Sequence, residues 1–269
     1  AAEVDARYKT AASHFANLPD GTRLHYLEQG PKDAPTLVLI HGSFDSAFTW
    51  ERVLPALARD FHVIAPDLPA HGLTGQTKPN RYAMTDMVQA VHGLVDHLRL
   101  GRFDIAGNAM GGNTAWLYAL AHPERLRRMV LIDAAGYPTS GAPLVDANPN
   151  AAKAFFYRYG NPSLLVRSGL LRAVVDPKAI TDAYSSRSVD FLRRTGSRDA
   201  QQIRNRVRAL HKPPIERMHE IATPTLIVWG DKDQLLPVAA AQRFHADLRN
   251  SKLLVYKGFG HIPQLEAPE

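Results

Sequence analysis

Not one cysteine occurs among the 269 residues, which removes thiol nucleophiles, disulfides and thiolate-held metals from every account of what the chain does. There is no HExxH pair of the kind that holds a hydrolytic zinc, no internal repeat and no low-complexity tract. Long apolar runs are missing too: the longest, around Thr36–Ile40 and Thr225–Trp229, have strand length and fall far short of the roughly 18 to 20 residues a membrane-crossing helix needs. What remains is 45% apolar and 22% charged, the composition of a globular protein with enough chain for one large domain or two small ones.

The net charge of +6 is unevenly spread. Residues 142–214 hold 13 Lys and Arg against 5 Asp and Glu, so the rest of the chain is slightly acidic. No zinc-finger, RNP or basic-zipper pattern accompanies this excess, and nucleic acid is not expected as a partner. Solvated helix faces are its ordinary meaning. The other is a surface that attracts acidic substrates or anionic lipid, and an apolar helical stripe in the same segment gives this the form of a peripheral contact with an anionic membrane. The chain opens Ala1-Ala2-Glu3 without Met, so an upstream signal or anchor is one expectation and a trimmed cytosolic chain another; cytoplasmic and cell-envelope locations both stay open.

Up to residue 141, short apolar runs alternate with helical patterns, which predicts an α/β fold with a mostly parallel sheet covered by helices. Leu24–Leu27 reads as an exposed early strand and Thr36–Ile40 as a strand buried on both faces. A helix is expected near Ala47–Ala58, a strand at His62–Asp67, a punctuated loop over Leu68–Pro79 and an amphipathic helix over Met84–Leu98. Phe103–Ala106 and Met129–Asp133 complete the first half as strands. Residues 142–214 show helical stretches at Ala151–Tyr159, Leu164–Val175 and Arg193–Leu210 but no strand, the signature of a helical insertion. Alternation resumes with strand Pro224–Trp229, helix Val238–Leu248 and strand Lys252–Tyr256. The expected division is therefore a core of 1–141 and 215–269 carrying a cap of 142–214.

The chemistry concentrates at Gly107-Asn108-Ala109-Met110-Gly111-Gly112, between a buried strand and a helix. Small residues two before and two after a central position are what a tight strand-to-helix reversal requires, and the reversal lifts the central side chain above the sheet beside a helix N-terminus. That is the geometry of a nucleophile elbow, G-x-S-x-G, with Ala109 where the nucleophile belongs.

From Thr22 to Glu269 the chain resembles an α/β-hydrolase. GNAMGG is similar to the GNSMGG of serine esterases and of hydrolases that split aromatic ring-fission products. His41-Gly42 resembles the oxyanion loop, Gly230-Asp231-Lys232-Asp233 with Leu235-Leu236-Pro237 the acid loop, and Gly260-His261 with Glu266 and Pro268 the histidine loop. The resemblance implies a Ser-His-Asp mechanism in which position 109 is the nucleophile, His261 the general base and Asp233 its orienting acid. Asp231 and Asp133 are the competing acids. Backbone N–H groups of Ser43 and Met110 are the expected oxyanion hole, Phe44 and Asn108 the expected substrate contacts, and His41 and His71 more structural than catalytic.

Ala109 admits two meanings: a serine replaced, which halts turnover while preserving binding, or a scaffold without catalysis that binds ligands. An Asp-nucleophile dehalogenase with the same replacement is a further alternative. The apolar content of 142–214 favours a small to medium, hydrophobic carboxylic ester as substrate, with C–C cleavage of ring-fission products or lactone hydrolysis as alternatives. Neither cofactor nor metal is implied.

Overall fold

The computed structural model describes residues 1–78, 80–138, 149–210 and 212–269. The chain begins with helix α1 (Ala2–Tyr8) and strands β1 (Ser13–Asn17), β2 (Arg23–Gln29) and β3 (Thr36–Ile40). A 3₁₀ turn at Ala47–Trp50 and the short α2 (Leu54–Leu57) lead to β4 (His62–Pro66), α3 (Met84–His97), β5 (Phe103–Asn108), α4 (Met110–Ala121) and β6 (Leu126–Ile132). Four helices follow: α5 (Ala151–Tyr159), α6 (Pro162–Ala173), α7 (Asp182–Arg193) and α8 (Ser197–Leu210). Strand β7 (Thr225–Gly230), α9 (Ala239–Asp247), β8 (Ser251–Tyr256) and α10 (Pro263–Glu266) complete it.

All eight strands form one sheet in the order β1-β2-β4-β3-β5-β6-β7-β8, parallel from β4 to β8 and antiparallel at β1 and β2. The central strands are apolar at consecutive positions because both faces are covered. On β3, Val38 and Ile40 join the core that includes Trp116 and Trp229, while Leu37 and Leu39 join the one that includes Phe48 and Trp50 on the other face. The parallel strands therefore release their C-terminal ends, and the loops that follow them, along one edge of the sheet.

Several expectations need correction. Leu24–Leu27 is buried, because β1 pairs along the outer edge of β2. The single helix expected over Ala47–Ala58 is two short turns, the second starting with Pro55 near its N-terminus, where the missing N–H costs no hydrogen bond. Arg193–Leu210 holds the end of α7 and all of α8, separated at Gly196, whose φ of +78° no continuing helix adopts. The expected boundary at 141/142, residues 142–148 and Pro79 lie outside the described residues.

The basic segment is not simply solvated either. On α8 the buried positions are Ser197, Ala200, Gln201, Arg204 and Asn205, a helical stripe that is mostly polar. A polar stripe turned inward needs polar partners, and these lie at the site described next.

Candidate active site

Strand β5 ends at Asn108 and α4 begins at Met110, so the whole reversal falls on Ala109, held at φ +51° and ψ −113°. Left-handed φ on a non-glycine residue costs free energy and persists only where its surroundings fix it. Here the Ala109 N–H donates to Ile132 O at 3.0 Å, and its carbonyl accepts from Asn113 and Ala135 N–H at 3.1 and 2.9 Å. The two flanking glycines are obligatory. A Cβ on Gly107 would sit 2.2 Å from Gly111 O, and one on Gly111 would sit 2.1 Å from Ile40 O.

His261 reaches this corner from the loop after β8. Its Nδ1 lies 2.7 Å from Asp233 Oδ2, and the other oxygen of Asp233 accepts the Leu235 and Leu236 N–H groups at 2.7 and 3.0 Å. Asn108 donates its side-chain amide to the His261 and Ile132 carbonyls at 2.9 and 3.2 Å, tying the histidine loop to the elbow. Glu266 braces the same loop: one oxygen accepts Gly260 N–H at 2.7 Å, the other the Val175 and Asp176 N–H groups at 2.6 and 3.2 Å. Of the competing acids, Asp231 accepts Gly258 N–H at 2.6 Å and shapes a turn.

Asp133 is closer to the chemistry. Fully buried at the end of β6 with φ +42°, it places a carboxylate oxygen within 4.8 Å of both Asp233 and His261. Its Oδ1 accepts Gly230 N–H at 3.0 Å, and Oδ2 has no hydrogen-bond donor among the described residues. Burial, then the neighbouring Asp233 charge, push the Asp133 carboxyl well above the usual carboxylate range. A carboxyl shifted in that direction favours its protonated form, which can donate a hydrogen bond where a carboxylate can only accept one. Asp133, Asp233 and His261 together also have the spacing of metal ligands.

The two expected oxyanion donors belong to residues on different loops, Met110 directly after Ala109 and Ser43 after His41-Gly42. Neither Ser43 N–H nor Met110 N–H is used by another described residue, and both residues line the same cavity as Ala109 and His261. Phe44, next to Ser43, has φ +63°. His41 holds the loop from behind, with Nδ1–H donating to Gly42 O at 2.7 Å and Nε2 accepting Leu68 N–H at 3.0 Å. Burial keeps both His41 and its neighbour His71 below the usual imidazole range, hence neutral.

Sequence reasoning missed Arg204. Buried on α8, its guanidinium donates to Ser43 Oγ at 3.1 Å, to Met110 Sδ at 3.3 Å, to Gln201 Oε1 at 3.0 Å and to Asn205 Oδ1 at 2.9 Å, and lies over the Phe44 ring. No carboxylate pairs with it among the described residues. Burial, followed by Arg208, lowers it to about 9, which leaves it cationic at neutral pH. A buried cation without a carboxylate partner, set against Ser43 and Met110, biases this corner toward negative charge. The inward polar periodicity of Ser197, Gln201, Arg204 and Asn205 was the available signal.

These groups open on a cavity of about 690 Å³. Phe44, Asn108, Leu117, Tyr137, Leu165 and Val166 are among its walls, so both expected substrate contacts line it, with Asn108 also serving as the brace described above. A profile of the alpha/beta hydrolase fold matches residues 35–268. The chain belongs to the α/β-hydrolase family. A 2-hydroxy-6-oxononadienedioate/2-hydroxy-6-oxononatrienedioate hydrolase of Pseudomonas putida is 32% identical over 97% of this chain and 94% of its own. Among solved structures, a membrane phospholipase A described as a bacterial virulence factor is 27% identical with a TM-score of 0.79, covering 96% of this chain and 82% of that one. A serine-to-alanine mutant of a meta-cleavage product hydrolase from Pseudomonas fluorescens IP01, complexed with acetates, is 27% identical with a TM-score of 0.81, over 94% and 92% of the two chains. This α/β-hydrolase thus has esterase-type and C–C hydrolase relatives.

Proposed function

We propose that this fold is a serine-type carboxylic ester hydrolase for small to medium, hydrophobic esters, with Ala109 at the nucleophile position, so that the chain binds substrate without turning it over. The observation that carries the reading is the Asp233–His261 pair held beside the elbow in the wall of a largely apolar cavity. With a hydroxyl at position 109, Nε2 of His261 is the nitrogen free to take its proton, because Nδ1 faces Asp233. The alkoxide forms a bond to the ester carbonyl carbon, and the negative oxygen falls to the Ser43 and Met110 N–H groups. His261 then returns the proton to the departing alcohol. Water repeats the sequence on the acyl-enzyme and releases the acid. The helices of 149–210, contributing Leu165, Val166 and Gln201 to the cavity wall, serve as its cap.

A second reading, C–C hydrolysis of a ring-fission product, is supported by the Pseudomonas putida relative and by Arg172, Arg198 and Arg208 in the cavity wall, which suit a substrate carboxylate. Ala109→Ser assayed on p-nitrophenyl esters of increasing chain length and on 2-hydroxy-6-oxo dienoates separates them. Ester hydrolysis that appears only with Ala109→Ser, on the order of 10⁶ above the parent chain, and is lost again with His261→Ala supports the esterase. Turnover of the dienoates alone transfers the reading to C–C cleavage. Inertness on both, with tight small-molecule binding, leaves a binding scaffold.

A further inference from the structure

Helices α5 and α6 carry an unusual surface. No residue of α5 is buried, and only Pro162 and Ala173 are buried on α6. Phe155 and Tyr159, one turn apart with ring centroids 4.9 Å from each other, are 66% and 64% exposed, and Leu164 is 72% exposed. On α6, Leu164, Arg167 and Leu171 share one exposed face by their spacing of three and four, while Leu165, Val166 and Leu170 line the cavity. Exposed aromatic and leucine side chains concentrated on two consecutive helices are not what a protein that meets only water displays.

The charge on the same helices has one sign. Lys153, Arg158, Arg167 and Arg172 lie on α5 and α6, and neither helix contains an Asp or Glu. Arg158 is paired with Asp199 of α8 at 3.1 Å, whereas Arg167 and Arg172 have no acidic partner among the described residues. Exposed apolar rings and leucines set among exposed cations form the pattern of helices that lie in the interface of an anionic bilayer, the rings in the acyl boundary and the cations among the head groups. A second protein copy would bring the same positive charge and is disfavoured by it.

We propose that the α5–α6 face seats this protein on an anionic lipid surface, with the cavity mouth turned into the head-group layer. Tyr157 and Pro162 line the cavity from the same two helices, so an amphiphile leaving the adjoining leaflet reaches the elbow without crossing bulk water. No helix among the described residues is long and apolar enough to span a membrane, so the contact is peripheral. The proposal rests on the helix surfaces and not on the catalytic reading, and its test needs no turnover.

The test is co-sedimentation of the chain as it stands, Ala109 included, with phosphatidylcholine vesicles lacking or containing about 30 mol% phosphatidylglycerol, at about 0.05 M and about 0.5 M NaCl. The expected result is binding to the anionic vesicles at low salt, released at high salt, with little on phosphatidylcholine alone. Phe155→Ser combined with Leu164→Ser lowers the partition coefficient at least tenfold, and Arg167→Gln or Arg172→Gln lowers it about fivefold each. All of these side chains are exposed, so unchanged near-ultraviolet circular dichroism and melting temperature separate lost docking from lost folding. Binding that ignores lipid charge and these substitutions overturns the proposal. So does a concentration-dependent dimer in sedimentation velocity that dissociates with Phe155→Ser and Leu164→Ser while vesicles retain nothing.

Discussion

Replacing Asp133 by Asn tests whether the fold favours a proton on that buried carboxyl. Asn has nearly the same shape; its carbonyl oxygen can keep the Gly230 N–H bond while its amide donates toward Asp233, the pattern of a protonated carboxyl without the ability to lose the proton. The sign follows from the raised value of Asp133. In the unfolded chain this carboxyl ionises near the ordinary value of about 3.9, whereas the folded protein holds the proton to higher pH. Above that ordinary value the unfolded state binds fewer protons, so stability falls as pH rises, by about 1.4 kcal/mol for each unit over which the folded carboxyl stays protonated. As the pH rises from 5 toward 7 the parent should lose stability that Asp133→Asn does not lose. For a chain of this size each kcal/mol lost lowers the melting temperature by about 2 to 4 °C. The assay is the difference in melting temperature between variant and parent across that range, which cancels the histidines that titrate alike in both. A difference that stays flat from pH 5 to pH 7 refutes the protonated Asp133.

In the Ala109→Ser protein, Asp233→Asn should lower kcat on an ester about 10⁴-fold through loss of the orienting carboxylate, measured by steady-state hydrolysis. In the same background Arg204→Met should lower kcat more than it raises KM, by one to two orders of magnitude, because a neutral side chain removes the field at the Ser43 and Met110 corner. Its melting temperature should hold or rise, since a buried unpaired cation is exchanged for an apolar group of similar length; an unaltered kcat would show that Arg204 only packs. Gly111→Ala should destabilise by about 3 kcal/mol or more in thermal melts, because its Cβ meets the Ile40 carbonyl, and a stability within 0.5 kcal/mol of the parent would contradict the elbow geometry.

The elbow was legible because its constraint is local. Gly107 and Gly111 are needed by the backbone itself, and the loops carrying Asp233 and His261 leave the strands that their apolar runs announce. The parallel sheet was legible from β3 to β8 for the same reason. Strand β1 and helix α1 were not, since Ser13–Asn17 alternates weakly and α1 has no buried residue to set a pattern. Arg204 was hidden by a sound rule applied to the wrong face: arginines usually meet water, and only its company of Ser197, Gln201 and Asn205 at helical spacing marked a face turned inward. The pairing of Asp133 with Asp233 joins positions 100 residues apart, and spacing along the chain carries no trace of it.

The N–H of His261 is bonded to the Ala173 carbonyl at 2.7 Å, just beyond which Glu266 accepts the Val175 and Asp176 N–H groups. The far end of α6 is thus riveted to the same strip of chain that delivers the imidazole. A roof that hinged there would carry the proton carrier away with it, so a guest has to be admitted by parting the opposite eave, where α5 is tied to α8 by Arg158–Asp199 and by Arg198 donating to the Arg158 and Gly160 carbonyls.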